Sequence, residues 1–262
     1  MGSSLIAGAG LVAGAAVVGT SRDHGARTNA ADSSSTTSTS TTIPTTTTTV
    51  PPTTTTVPPP PGADGTLELG EHGDEILLLQ TQLRDLGFWL GTPDSTYGQL
   101  TRQAVLAFQK AQGLGRDGVA GPGTLGALGS AARPSPREPS GSHLEIDLDR
   151  QLLLIVQDGQ TRWAINTSTG SGEAYAAPGG GTAVANTPRG SFKVDREVDG
   201  YRKAALGTLY RPKYFHGGIA IHGAGQIPAH PASHGCARVT NSAMDMLWAS
   251  GVAAIGTPVL VH

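Results

Sequence analysis

HLEIDLDRQLLLIVQDGQTRWAIN, residues 143–166, decides the fold. Leu144, Ile146 and Leu148 alternate with Glu145, Asp147 and Asp149, which is the period of a half-buried strand. Leu152 to Val156 is a second strand. Asp158-Gly159 is a two-residue hairpin signal, because a tight turn of this kind needs positive φ at its centre. Thr161 to Asn166 then pairs back. Further strands are predicted at Gly190 to Val194, Ile219 to His222 and Pro258 to Val261. One helix is predicted from Asn241 to Ser250, with Met244, Leu247 and Trp248 on its buried face and Gly251 as its stop. Residues 143–262 therefore read as a mainly β domain with one docked helix.

Upstream the period changes. Residues 131–142 are rich in proline and glycine and read as a linker. Residues 64–130 read as a small three-helix domain. Ile76, Leu79, Leu83 and Leu86 recur at helical spacing, with Gly87 at the cap. Thr101 to Gln112 carries Ala104, Val105 and Phe108 on one face, with Gly113 as the stop. A third short helix, Thr124 to Leu128, follows Gly121-Pro122. Three such helices can bury one small core between them. This unit resembles the type 1 peptidoglycan-binding domain family. The resemblance rests on Leu69-Gly70, Gly73-Asp74, Leu79-Gln80, Leu86-Gly87, Phe108-Gln109, Asp117-Gly118 and Gly121-Pro122. It departs at Ser95, where such domains more often have glycine. It implies binding to the peptidoglycan of the cell wall.

Residues 33–63 are nearly all Ser, Thr and Pro and cannot bury enough apolar surface to fold. They read as a disordered stalk of the composition found in O-glycosylated segments. Residues 1–32 read as a signal or membrane-anchor-like segment, with a short apolar run from Leu5 to Gly19. The formal net charge of −2 gives no basic footprint for nucleic acid.

The chemistry concentrates between Ile219 and Val239. The single cysteine of the chain, Cys236, rules out an internal disulfide. A thiol is a useful nucleophile as thiolate, and a neighbouring imidazole supplies that by taking the proton. His222 ends a strand and His234 lies two residues from Cys236, so spacing alone leaves two candidate bases. Arg238 favours the thiolate, and backbone amides around Gly235 and Cys236 are candidate oxyanion donors. His216, His222, His230, His234 and Cys236 are all zinc-ligand types, but their spacings match no zinc motif.

Residues 143–262 resemble the YkuD-type L,D-transpeptidase catalytic domain. The matching residues are Ser168-Thr169-Gly170, Thr187-Pro188-Arg189-Gly190-Ser191-Phe192, Ile221-His222-Gly223, Ser233-His234-Gly235-Cys236-Ala237-Arg238-Val239 and Gly256-Thr257-Pro258-Val259. The resemblance implies a YkuD-like β-sandwich. It implies Cys236 as nucleophile and His222 as base, oriented by the carbonyl of Gly223. Ser233, His234 and Gly235 then shape the site and its oxyanion hole. Arg238, Tyr214 and Gly218 are the implied substrate contacts. The implied reaction cross-links peptidoglycan stem peptides between diamino acids through a thioester, without metal or cofactor. The implied setting is the cell wall or periplasmic space, reached by secretion or a membrane anchor. Carbapenems are the implied inhibitors. An L,D-carboxypeptidase using the same thiol, and a non-catalytic wall-binding protein, are the alternatives.

Overall fold

The computed structural model describes residues 65–262, so the segments expected over 1–32 and 33–63 lie outside the described residues. Three helices come first: α1 (Asp74–Asp85), α2 (Gln99–Gln112) and α3 (Pro122–Leu128). Asp74 and Glu75 in the first turn of α1 suit the positive end of its dipole. Gly87 follows at φ +85°, and the Phe88 N–H returns to the Leu83 carbonyl at 2.8 Å. That is the left-handed stop that the glycine predicted. α2 ends the same way at Gly113, φ +67°. Ser95 sits at φ +63°, a left-handed position that glycine adopts without strain.

Two sheets follow. One runs β3 (Gln160–Asn166), β2 (Leu152–Gln157), β1 (His143–Asp147), β12 (Pro258–Val261), β6 (Gly190–Lys193). The other runs β11 (Ala237–Thr240), β10 (Ile219–Ala224), β9 (Gly207–His216), β7 (Arg196–Glu197), with β8 (Tyr201–Ala204) also paired to β9. A separate hairpin joins β4 (Ala174–Ala176) to β5 (Thr182–Val184). Leu144, Ile146, Val259 and Val261 of the first sheet pack with Phe215, Ile221 and Val239 of the second. α4 (Asn241–Ser250) adds Met244 and Leu247 to that core. Thr240 caps α4 by accepting from the Ala243 N–H at 3.1 Å. Asp158 and Gly159 both have positive φ, as their hairpin requires.

The alternation in β1 predicts one wet face, and the structure corrects this. All five residues are buried. Glu145 is fully buried and accepts from the Arg137 N–H at 2.9 Å and the Glu138 N–H at 2.8 Å. The segment 131–142 therefore lies on the sheet and satisfies its buried carboxylate, as a buried charge demands. Leu152, Leu154, Val156 and Ala164, on the outer face of β2 and β3, share one core with Phe88, Phe108 and Leu83 of the helices. The small helical core is thus continuous with the first sheet. α2 is buried nearly all round from Ala104 to Lys110 because it lies between the two. Its Lys110 is 1% exposed and donates to the carbonyls of Gln151 and Thr167, both at 3.0 Å. Among the described residues no helix is long and apolar enough to cross a membrane.

Candidate active site

β10 and β11 pair in parallel, with His222 opposite Arg238 and Ile221 opposite Ala237. Registered neighbours share a sheet face, and so do residues two apart on one strand. Cys236 lies just ahead of β11 and packs against Ala220, two before His222 on β10. His222, Cys236 and Arg238 line one cavity of about 440 Å³.

His222 is 6% exposed. Its Nδ1 lies 2.8 Å from the Gly223 carbonyl, which makes Nδ1 the N–H donor and leaves Nε2 with the lone pair. Burial pushes its pKa down, the Gly223 bond opposes this, and the Arg238 charge adds to the lowering. Burial pushes the Cys236 thiol up, against smaller opposing effects of the Ala220 N–H and Arg238. Both shifts favour the neutral forms, thiol and imidazole. Cys236 Sγ points toward the Gly218 carbonyl at 3.9 Å.

The turn that presents Cys236 is built by hydrogen bonds. Ser233 Oγ donates to the Cys236 carbonyl at 2.6 Å and accepts from the Gly235 N–H at 3.0 Å. Thr187 Oγ1 donates to the Gly235 carbonyl at 2.7 Å and accepts from the Gly170 N–H at 2.9 Å. Gly235 has φ +137°, and a Cβ there would stand 2.8 Å from the Asn186 carbonyl oxygen. A Cβ on Gly223 would stand 2.6 Å from Asn241 Oδ1 and 2.8 Å from Tyr210 Cδ1. Both positions therefore admit only glycine without rearrangement.

His234 is exposed and lines the same cavity, with its ring edge-on to Tyr175 at 4.6 Å between centroids. Tyr214 is 4% exposed, lines the cavity, and lies under the Arg196 guanidinium at 3.6 Å. Gly218 completes this wall. His216 stacks on Phe192 instead. Among the described residues, no three His, Cys, Asp or Glu side chains gather closely enough to share a metal ion.

Sequence reasoning missed Thr187 as a builder of the turn, and missed the two hairpins that wall the cavity. Tyr175 and Pro178 come from the β4–β5 hairpin, and Ala204 to Leu209 come from β8–β9. The Gly179-Gly180-Gly181 run is the tip of the first hairpin, where the Ala177 N–H bonds the Gly181 carbonyl at 3.0 Å.

The chain matches the L,D-transpeptidase catalytic domain family over residues 141–261. The crystal structure of an L,D-transpeptidase (residues 123–326) from Xylanimonas cellulosilytica is 50% identical. It covers 79% of this chain and 100% of its own, with a TM-score of 0.73. This chain belongs to the L,D-transpeptidase family. Residues 72–128 match a peptidoglycan binding domain family. A curated relative, the N-acetylmuramoyl-L-alanine amidase CwlM of Mycobacterium tuberculosis, is 42% identical over 57 residues. That match spans 22% of this chain and 14% of the relative. A second crystal structure, of an L,D-transpeptidase from Stackebrandtia nassauensis, is 24% identical with a TM-score of 0.42, covering 74% of this chain and 94% of its own. An L,D-transpeptidase fold carrying a helical unit similar to a peptidoglycan binding domain family is therefore the frame for the cavity around Cys236.

Proposed function

We propose that this L,D-transpeptidase cross-links peptidoglycan stem peptides with Cys236 as nucleophile and His222 as base. The observation that supports this reading is the parallel register of β10 and β11, which pairs His222 with Arg238, together with Cys236 lining the same cavity. His222 Nε2 takes the Cys236 proton, and Sγ attacks the carbonyl of the diamino acid in a tetrapeptide stem. The negative oxygen that forms rests on backbone amides of the turn 234–236. The Gly235 amide is not among them, because it already donates to Ser233, which thereby holds the turn in shape. Collapse breaks the amide to the terminal D-Ala, whose nitrogen receives the proton from His222, and a thioester remains. A side-chain amine of a second stem attacks the thioester, gives its proton to His222, and releases the thiolate. The Gly223 carbonyl holds the imidazole through Nδ1 throughout. Arg238, Tyr214 and Gly218 contact the stem, and His234 shapes the entrance. A carbapenem acylates the same sulfur as its lactam ring opens. The helical unit holds the enzyme on the wall, outside the membrane, after export.

The test is incubation with disaccharide-tetrapeptide and mass analysis of products. A cross-linked dimer and a loss of D-Ala support the proposal, and Cys236→Ala abolishes both. Tripeptide alone assigns the site to a carboxypeptidase, with water resolving the thioester. Dimer formation by Cys236→Ala overturns the mechanism.

A further inference from the structure

A second cavity of about 700 Å³ lies between α2 and the loop joining β10 to β11. Arg102 and Gln103 of α2 form one wall, Gln226 and His230 of the loop form the other, and Arg238 closes one end. Arg238 also lines the catalytic cavity, so this residue, with its one guanidinium, borders both spaces. That guanidinium has no hydrogen-bonded or ion-paired partner among the described residues. Arg102 spends one N–H on the Asp117 carbonyl at 3.3 Å. The lining has no Asp or Glu, and its side chains are rich in N–H donors. The groove is also firmly built. Gln103 donates to the Ile227 carbonyl at 3.3 Å, and Asn166 Nδ2 bonds Gln103 Oε1 at 2.5 Å. The loop is held again where Ser168 Oγ donates to the His230 carbonyl at 2.8 Å.

We infer that this groove is a binding site for the carboxylate-bearing part of a stem peptide, which crosses Arg238 to reach Cys236. The inference rests on the stem-peptide chemistry proposed above. Stem peptides carry free carboxylates and a row of amides. Guanidinium groups pair with the first, and glutamine side chains bond the second. The catalytic cavity is walled by Leu206, Leu209, Tyr214 and Ile219, and Arg238 is the guanidinium among its polar side chains, which include Thr208 and His234. A peptide lying in the groove would touch the wall-binding helix and the catalytic loop together.

The test reverses charge on the groove away from the reacting atoms. In Gln226→Glu/His230→Glu the dissociation constant for disaccharide-tetrapeptide, measured by calorimetry in a Cys236→Ala background, rises at least roughly tenfold, because like charges then face each other across the contact. Iodoacetamide labelling of Cys236 in the otherwise unaltered chain stays at the wild-type rate. Gln226→Lys/His230→Lys, with the same positions altered, binds at least as tightly as wild type. In the wild-type background, slower thioester formation assigns the groove to the donor stem. Unchanged thioester formation with slower resolution assigns it to the acceptor. Unchanged affinity in the glutamate variant, or equal weakening in the lysine variant, overturns the groove. A wild-type chain that binds the peptide through the groove but forms no thioester overturns the catalytic reading alone.

Discussion

Thr187 and Gly235 are joined by a 2.7 Å hydrogen bond from Oγ1 to the carbonyl, across 48 residues of chain. The same hydroxyl accepts from the Gly170 N–H. Thr187→Val keeps the shape and leaves two backbone groups without this partner. Loss of a buried partner costs about 1–3 kcal/mol. The turn holding Cys236 then loosens. The expected result is a lower Tm and a larger fall in kcat than in Cys236 labelling by a small reagent. Wild-type turnover in this variant would remove Thr187 from the positioning of Cys236.

The Cys236–His222 pair makes its own statement about pH. Burial raises the thiol and lowers the imidazole, so the proton stays on sulfur near neutrality. Alkylation of Cys236 by iodoacetamide therefore accelerates as pH rises through the alkaline range, with no plateau between pH 5 and 7. A plateau there would indicate a thiolate–imidazolium pair already formed at rest.

Lys110 gives a pH dependence of stability. Burial, with the Arg116 charge behind it, lowers its pKa from 10.5 to about 7. Between these values the unfolded chain holds a proton that the folded chain has released. Stability therefore rises with pH across this window and falls as pH drops from 10.5 toward 7. Lys110→Met removes that slope and leaves the Gln151 and Thr167 carbonyls without their donor. The Tm difference between wild type and variant is expected to be larger at pH 9 than at pH 7. An equal difference at both would mean that Lys110 stays charged when folded.

Ser95→Gly should stabilise the helical unit. Ser95 holds φ +63°, while its N–H bonds Gln80 Oε1 at 3.0 Å, a bond glycine keeps. Relief of a left-handed non-glycine residue is worth on the order of 1 kcal/mol, less the added freedom of the unfolded chain. Thermal denaturation at one pH measures it. A lower Tm would show that the serine side chain contributes more than its backbone strain costs.

What the sequence made legible follows its periodicity. Helices α1 and α2 were readable because apolar residues recur on one face and glycine ends each. β1, β2 and β3 were readable from alternation and from Asp158-Gly159. β9 was not, because Pro212 interrupts it and Arg211 bends it at φ +48°, inside a bulge opposite β10. The short strands β4, β5, β7 and β8 are mostly exposed, so they carry no apolar pattern to read. Cys236 and His222 could be singled out by residue type and family resemblance. Thr187 could not, since a threonine acts there through two backbone groups distant in sequence. The burial of Glu145 was hidden for a similar reason, since its partners are amides of a segment that looked like a spacer.

The shared core of helices and sheet has a mechanical consequence. Leu83, Phe88 and Phe108 pack on the outer face of β2 and β3, so the described residues join helical unit and sheet through one packed core. An enzyme on a loose tether would sample every stem within reach of its leash. Here the distance from the helical unit to Cys236 is set by packed side chains, and the molecule works as a gauge. Under the proposed cross-linking reaction it would join stems that lie at one offset from the glycan strand bound by the helical unit.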